Sequence, residues 1–246
     1  MHIMLTNDDG VHALGIRTLA RVLSEAGHRV SVCAPDRERS AASHSITLRR
    51  ALNVEKVEFP GAETAYAADG TPADCARLGL YLIPDVDLVI SGINNGSNLG
   101  GACVYSGTVG AAMEASMTGV PALASSIGAF DHLDYVPAAK ITLKVAEWMT
   151  EHPLSRGEFY NLNIPALPYE EIRGVIAAPL APNYLDTAAY NPTEDGKYMY
   201  THGVNVPFDD PECDVLRMRE GYAPLTKLTW DMRLNAPHPD VSAIRL

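Results

Sequence analysis

Along the first half of the chain, short apolar runs alternate with helical stripes, and each is closed by a polar or glycine-containing turn. His2–Thr6 is a short, mostly apolar run that stops at Asn7-Asp8-Asp9-Gly10, the pattern of a strand delivering a turn. Ile16, Leu19, Ala20 and Leu23 then share one face of a helix, with Gly27 as its stop. Arg29–Ala34 predicts a second strand closed by Pro35-Asp36, and 37–46 is polar and serine-rich, a loop by composition. Gly70-Thr71-Pro72-Ala73-Asp74 predicts a helix start, with Thr71 as N-cap, Pro72 in the first turn and Asp74 completing a capping box. That helix runs to about Leu82. Val86–Ile90 reads as a buried strand that ends in the polar, glycine-rich stretch Ser91–Gly101. Ser106-Gly107-Thr108 opens a small-residue helix over Val109–Thr118, and Pro121–Ile127 is another strand. Lys140–Met149 predicts a helix with Ile141, Val145 and Trp148 on its apolar face, while Phe159–Ile164 and Ile172–Ala177 read as strands.

Strand and helix signals alternating at this pace predict an α/β fold: a doubly wound, mostly parallel Rossmann-like sheet with a smaller C-terminal extension. Residues 1–130 are expected to form a metal- and phosphate-binding core. Residues 131–246 complete the domain and add an extended arm, because 179–214 is rich in Pro, Tyr, Asn and Asp and lacks core-like periodicity. Composition sharpens this picture. Of 246 residues 47% are hydrophobic but only 7% aromatic, so Ala, Val, Ile and Leu carry the apolar mass, as suits a parallel sheet packed by helices. The formal net charge of −11 argues against a nucleic-acid polymer as partner, which demands basic stripes. A small phosphorylated substrate remains compatible, since a bound cation inverts the local field. Cys33, Cys75, Cys103 and Cys213 are widely spaced, with no Cys-x-x-Cys pair, which points to neither a zinc ribbon nor a disulfide framework. Two carboxylates arrive before a signal-peptide core could form, and no stretch approaches transmembrane length. The expectation is a reduced, cytoplasmic protein with no membrane partner.

Candidate chemistry gathers where loops leave the carboxyl ends of parallel strands. Asp8 and Asp9 follow the first strand, Asp36–Ser40 the second, and Asn94–Asn98 the third. Adjacent carboxylates ionise together at low cost only beside something positive. A hard divalent cation fits, taking oxygen from Asp8, Asp9, Asn94 and Ser40; a plain Asp-Gly turn is the competing reading. The 92–101 run lets backbone amides approach an anion, and Ser106-Gly107-Thr108 at a helix start offers N–H groups and hydroxyls to phosphate. Neither segment matches the dinucleotide or P-loop fingerprints. Arg37 and Arg39 could pair a phosphate but read first as surface ion pairs, His12 and His44 are candidate proton carriers that are by default structural, and Asp131-His132-Leu133-Asp134 could ligate metal but reads first as a solvated loop.

Those segments together resemble the SurE family of 5′/3′-nucleotidases. The resemblance rests on Leu5–Ala13 (LTNDDGVHA), Ala34–Ala41 (APDRERSA), Gly70–Cys75 (GTPADC), Ser91–Gly96 (SGINNG) and Tyr105–Val109 (YSGTV), with Asn161–Pro165 (NLNIP) as a later match. It implies one divalent metal ion per subunit, Mg2+ or Mn2+, held by Asp8, Asp9, Ser40 and Asn94, with phosphate contacts near Asn98 and Ser106-Gly107-Thr108. It also implies hydrolysis of nucleoside 5′- and 3′-monophosphates, trimming of short polyphosphate by some members, and homodimers or homotetramers that exchange C-terminal elements. The C-terminal third departs from the pattern: Cys213 stands where the family carries Thr before Asp214, and Ala223-Pro224-Leu225-Thr226 follows Gly221-Tyr222.

The expected chemistry is metal-assisted phosphomonoester hydrolysis with Asp8 and Asp9 as the catalytic pair, Asp9 being the first choice for handling the proton of the attacking water. One rival is an aspartyl-phosphate phosphatase of the haloacid-dehalogenase type, which wants aspartates at i and i+2 where this chain has them adjacent. The other is a non-catalytic nucleotide- or metal-binding module.

Overall fold

The computed structural model describes residues 1–128, 134–181, 189–201 and 210–232. Its main sheet contains nine strands: β1 (His2–Thr6), β2 (Arg29–Pro35), β3 (Val54–Lys56), β4 (Thr64–Ala68), β5 (Leu88–Asn95), β6 (Ala122–Ile127), β7 (Glu158–Ile164), β8 (Val175–Ala177) and β11 (Ala223–Thr229). β9 (Ala189–Pro192) and β10 (Tyr198–Thr201) form a separate antiparallel pair. The sheet order is β3-β4-β2-β1-β5-β6-β7-β11-β8. The six central strands from β4 to β7 are parallel, and β3 and β11 join the two ends of that block antiparallel.

Helices α1 (Leu14–Glu25), α2 (Pro72–Leu82), α3 (Gly107–Thr118) and α4 (Tyr135–Met149) cover both faces. Side chains of β1 alternate between them: Ile3 and Leu5 join the core under α1 and α4, while Met4 joins the core under α2 and α3, the period-two consequence of a strand buried on both sides. Each fully buried Ile or Leu here contributes about 1.5–3 kcal/mol. Helix α3 approaches closely because it is built from Gly110, Ala111, Ala112 and Ala115, all buried. The chain leaves β1 toward β2 on one side and pairs with β5 on the other. That reversal opens a crevice at the carboxyl ends of β1 and β5.

Several boundaries differ from the sequence expectation. β5 continues to Asn95 instead of stopping at Ile90, with a register shift against β6 between Ser91 and Asn94. Gly92 permits this: its φ is +141°, and a Cβ there would lie 2.2 Å from the Ser125 carbonyl oxygen. α4 begins at Tyr135, where Asp134 Oδ1 accepts the Val136 amide at 2.9 Å; residues 131–133 of the acidic cluster lie outside the described residues. Trp148 is 40% exposed and stacks on His152, so it does not join the α4 core face. The strand expected from Ile172 shortens to β8, because Tyr169–Glu171 turns as a 3-10 helix and Gly174 adopts φ +128°. The region beyond 179 is more than an arm: β11 inserts beside β7, and the short helix α5 (Asp214–Arg219) packs on it.

Candidate functional site

The turn after β1 is locked before it can present its carboxylates. Asn7 Nδ2 donates to the Gly10 carbonyl at 2.9 Å, and Gly10 takes φ +96° with its Cα face against the Arg37 backbone. Asp8 is buried, and its Oδ1 accepts the Thr108 hydroxyl at 2.5 Å. Its backbone carbonyl accepts the Arg39 amide at 2.7 Å, which docks the 37–46 loop, and therefore Ser40, against the β1 turn. Asp9 Oδ2 accepts the Asn95 amide at 3.1 Å, tying it to the end of β5.

Both carboxylates are held above the usual range, Asp8 by burial, and Asp9, to about 6, by burial first and the Asp8 charge second. Glu38 adds to the repulsion at both, a contributor the sequence reading did not single out. Burial, and then the Asp9 charge, push the Tyr135 hydroxyl on α4 up to about 12. This is the electrostatic condition in which a cation is most welcome. The donor set is hard: two carboxylates, an amide and a hydroxyl. Among the described residues no cluster of three or more His, Cys, Asp or Glu could hold a metal ion, so a full shell here would draw on the Asn94 and Ser40 oxygens and water as well as the two carboxylates.

Asn94 Nδ2 donates to the Gly96 carbonyl at 2.7 Å, so its oxygen is the atom left to offer. Ser40 is exposed, and its hydroxyl donates to Glu38 Oε1 at 2.6 Å. Ser106 is the N-cap of α3, its Oγ accepting the Val109 amide at 3.1 Å. A helix start leaves its first amides without intrahelical acceptors. Gly107 lets that start touch the β1 turn, since a Cβ there would stand 3.0 Å from the Asp8 Cβ and 2.9 Å from Pro72. Thr108 spends its hydroxyl proton on Asp8, leaving its backbone to meet an anion.

Asn98 sits differently from the rest. It is buried, and its Nδ2 donates to Ser126 Oγ at 2.9 Å. Its amide donates to Asn163 Oδ1 at 2.7 Å, and its carbonyl accepts Asn161 and Asn163 side chains at 2.8 and 3.0 Å. The two asparagines of the Asn161–Pro165 motif on β7 are thus the anchor of the loop after β5; the family resemblance marked the motif without giving it a role.

Of the other candidates, Arg39 and His44 take structural partners. Arg39 pairs with Asp36 at 3.2 Å and reaches the Asp69 carbonyl at 2.9 Å. His44 Nε2 meets the buried Glu114 at 2.6 Å, and Arg77 bonds the other Glu114 oxygen. This group seats the serine-rich loop on α3, where Gly110 admits it: a Cβ there would be 2.6 Å from the Ser43 carbonyl. His12 is exposed beside the β1 turn. No helix among the described residues is long and apolar enough to cross a membrane.

The family model for survival protein SurE matches residues 3–187. A 5′-nucleotidase SurE from Synechococcus sp. strain JA-3-3Ab is 43% identical over 240 residues, covering 94% of this chain and 93% of that protein. One from Desulfitobacterium hafniense strain DCB-2 is 43% identical over 236 residues, covering 94% and 92%. The crystal structure of the SurE protein from Aquifex aeolicus superposes with a TM-score of 0.81 at 32% identity, covering 95% of each chain.

Proposed function

The chain belongs to the survival protein SurE family and is a 5′-nucleotidase, and we propose that it works as a divalent-metal-dependent phosphomonoesterase on nucleoside 5′- and 3′-monophosphates. The observation that carries this reading is the pairing at the β1/β5 crevice. Two carboxylates repel one another there, directly against a helix start suited to phosphate.

Asp8, Asp9, Asn94 and Ser40 are the residues that would hold one Mg2+ or Mn2+, and they fit a hard cation by donor type and by the raised Asp8 and Asp9 carboxyls. When bound, such an ion supplies positive charge that lets both carboxylates ionise and polarises a phosphoryl oxygen. The chain's own groups do the rest. The amides at the start of α3 and the Ser106 hydroxyl bind the phosphate oxygens and meet charge developing on them. Thr108 fixes the rotamer of Asp8 through its 2.5 Å hydrogen bond. Asp9, less buried than Asp8 and held by the Asn95 amide, accepts the proton of the attacking water. The β9–β10 hairpin exposes Tyr190, Tyr198 and Met199, a surface suited to packing on another copy in a homodimer or homotetramer. A reduced, cytoplasmic setting suits the four cysteines, all free and buried.

Phosphate release from AMP in Mn2+, abolished by EDTA and restored by returning the metal, is the expected result. Binding of AMP without turnover would favour a nucleotide-binding module, and a trapped phosphoaspartyl enzyme would favour the aspartyl-phosphate route.

A further inference from the structure

The turn between Asn98 and Ser106 carries the chain from the end of β5 to the start of α3. Its first residue is fixed by the β6 and β7 side chains described above. Its last residues are tethered to the serine-rich loop, Ser43 donating its amide to the Tyr105 carbonyl at 3.0 Å and its hydroxyl to the Val104 carbonyl at 2.7 Å. Between them Gly100 adopts φ +48° and opens a 3-10 turn over Gly100–Val104. The Gly100 amide donates to Asp214 Oδ2 at 2.7 Å, from 114 residues further along the chain.

Asp214 is fully buried. Its Oδ1 accepts the Ala181 and Val215 amides, each at 2.9 Å, and its own amide donates to the Pro179 carbonyl at 2.8 Å. Three backbone N–H groups from three separate segments therefore converge on one carboxylate, an arrangement that needs both of its oxygens as acceptors. We infer that Asp214 is a positioning residue for phosphoester hydrolysis: it holds the Gly100 turn, and through it the phosphate-facing start of α3, in place against the Asp8 turn. This inference rests on the reading of Ser106–Thr108 as the phosphate site.

The geometry supplies a selective probe. In Asp214→Asn one oxygen can still accept the Ala181 and Val215 amides, but the NH2 group would face the Gly100 N–H, donor against donor. The tether to the turn breaks while the other two remain. In the metal-loaded, full-length enzyme, D214N is expected to raise KM for AMP and the inhibition constant of inorganic phosphate roughly 10–100-fold, the range for partners that orient a site's binding groups. Half-saturation by Mn2+ should shift less than either, because the proposed ligands lie outside Gly100–Val104 and the start of α3 reaches them through the Thr108–Asp8 hydrogen bond. Amide exchange gives a second readout: the Gly100 N–H should be protected in the wild type and exchange faster in D214N. A folded D214N with KM and phosphate inhibition within about twofold of wild type would overturn the inference. So would a wild-type Gly100 amide that exchanges like an exposed loop. Should D214N not fold, Asp214→Glu moves the carboxylate by one methylene, and the same readouts apply in the same direction. A wild type that releases no phosphate from AMP would remove the nucleotidase reading, yet the exchange experiment would still decide whether Asp214 fixes the turn.

Discussion

The rim at the ends of β1 and β5 and the strut made by α5 and β11 meet at one loop by opposite routes. On the rim, each candidate group sits on or beside the end of an element: Asp8 and Asp9 after β1, Asn94 on β5 itself, Ser106–Thr108 at the start of α3. In the strut, the residue that meets the loop is Asp214, and it does so across 114 residues of chain. The rim therefore concentrates the candidate groups and electrostatic repulsion, with two raised carboxyls side by side. The strut concentrates hydrogen bonds around one carboxylate, Asp214, which burial also raises and whose three backbone partners work against that push. Reactivity and rigidity are separated in the chain and joined only by folding.

The largest effect should come from the rim. Asp9→Asn removes the group assigned to the water's proton and half of the carboxylate pair, and turnover of AMP should fall at least ~100-fold, the scale of one general base or electrostatic contact. Steady-state kinetics in saturating Mn2+ checks it. Near-full turnover would move the proton-handling role off the rim and blur the division drawn above.

This division also explains what the sequence made legible. The strands, the capping box of α2 and the convergence of three loops are local facts, written in apolar runs, Thr71-Pro72-Ala73-Asp74 and Asp-Gly turns. The capping box forms as expected, with Thr71 Oγ1 accepting the Asp74 amide at 3.1 Å. What local pattern could not reveal is pairing between distant segments. β11 was hidden in a tail whose composition suggests an arm, because insertion beside β7 depends on an open sheet edge rather than on β11's own sequence. The end of β5 was misplaced because a glycine-rich stretch reads as loop, whereas Gly92 and the register shift keep it in the sheet. Asp214 was visible only as the residue after Cys213, where the tail departs from the family pattern.

An intermediate effect is expected behind the rim, at Glu114. Its carboxylate is held below the usual range, chiefly by the hydrogen bond from His44, against the upward push of burial and with further help from Arg77. A lowered carboxyl stabilises the fold fully above its unfolded value near 4.5, and that contribution is lost as pH falls through the lowered folded value. Glu114→Gln should cost about 1–3 kcal/mol near neutral pH, the scale of a buried charge-assisted bond left poorly matched. Denaturant titrations should show the gap between wild type and E114Q closing in acid. A gap that widens in acid would mean that the serine-rich loop is seated by other contacts.

The smallest effect has the opposite sign, and it tests whether the rim is strained in the metal-free protein. Asp9 is raised from 3.8 to about 6 by burial and by Asp8. At low pH both folded and unfolded states carry the proton, so the residue costs nothing. As pH rises from 3.8 toward 6 the unfolded chain releases its proton first, and the folded state falls behind. Above that window the ionised pair is a standing cost, and D9N removes it. In EDTA near neutral pH, D9N should therefore be more stable than wild type by about 1–2 kcal/mol, allowing for solvent screening at a partly open rim. The advantage should vanish below the window and reverse when Mn2+ is added, since the wild type alone keeps the full set of hard ligands. A variant that loses turnover yet gains stability without metal would place the cost of this site at the rim. A D9N protein less stable than wild type in EDTA would mean that the carboxylate pair is already accommodated by the fold.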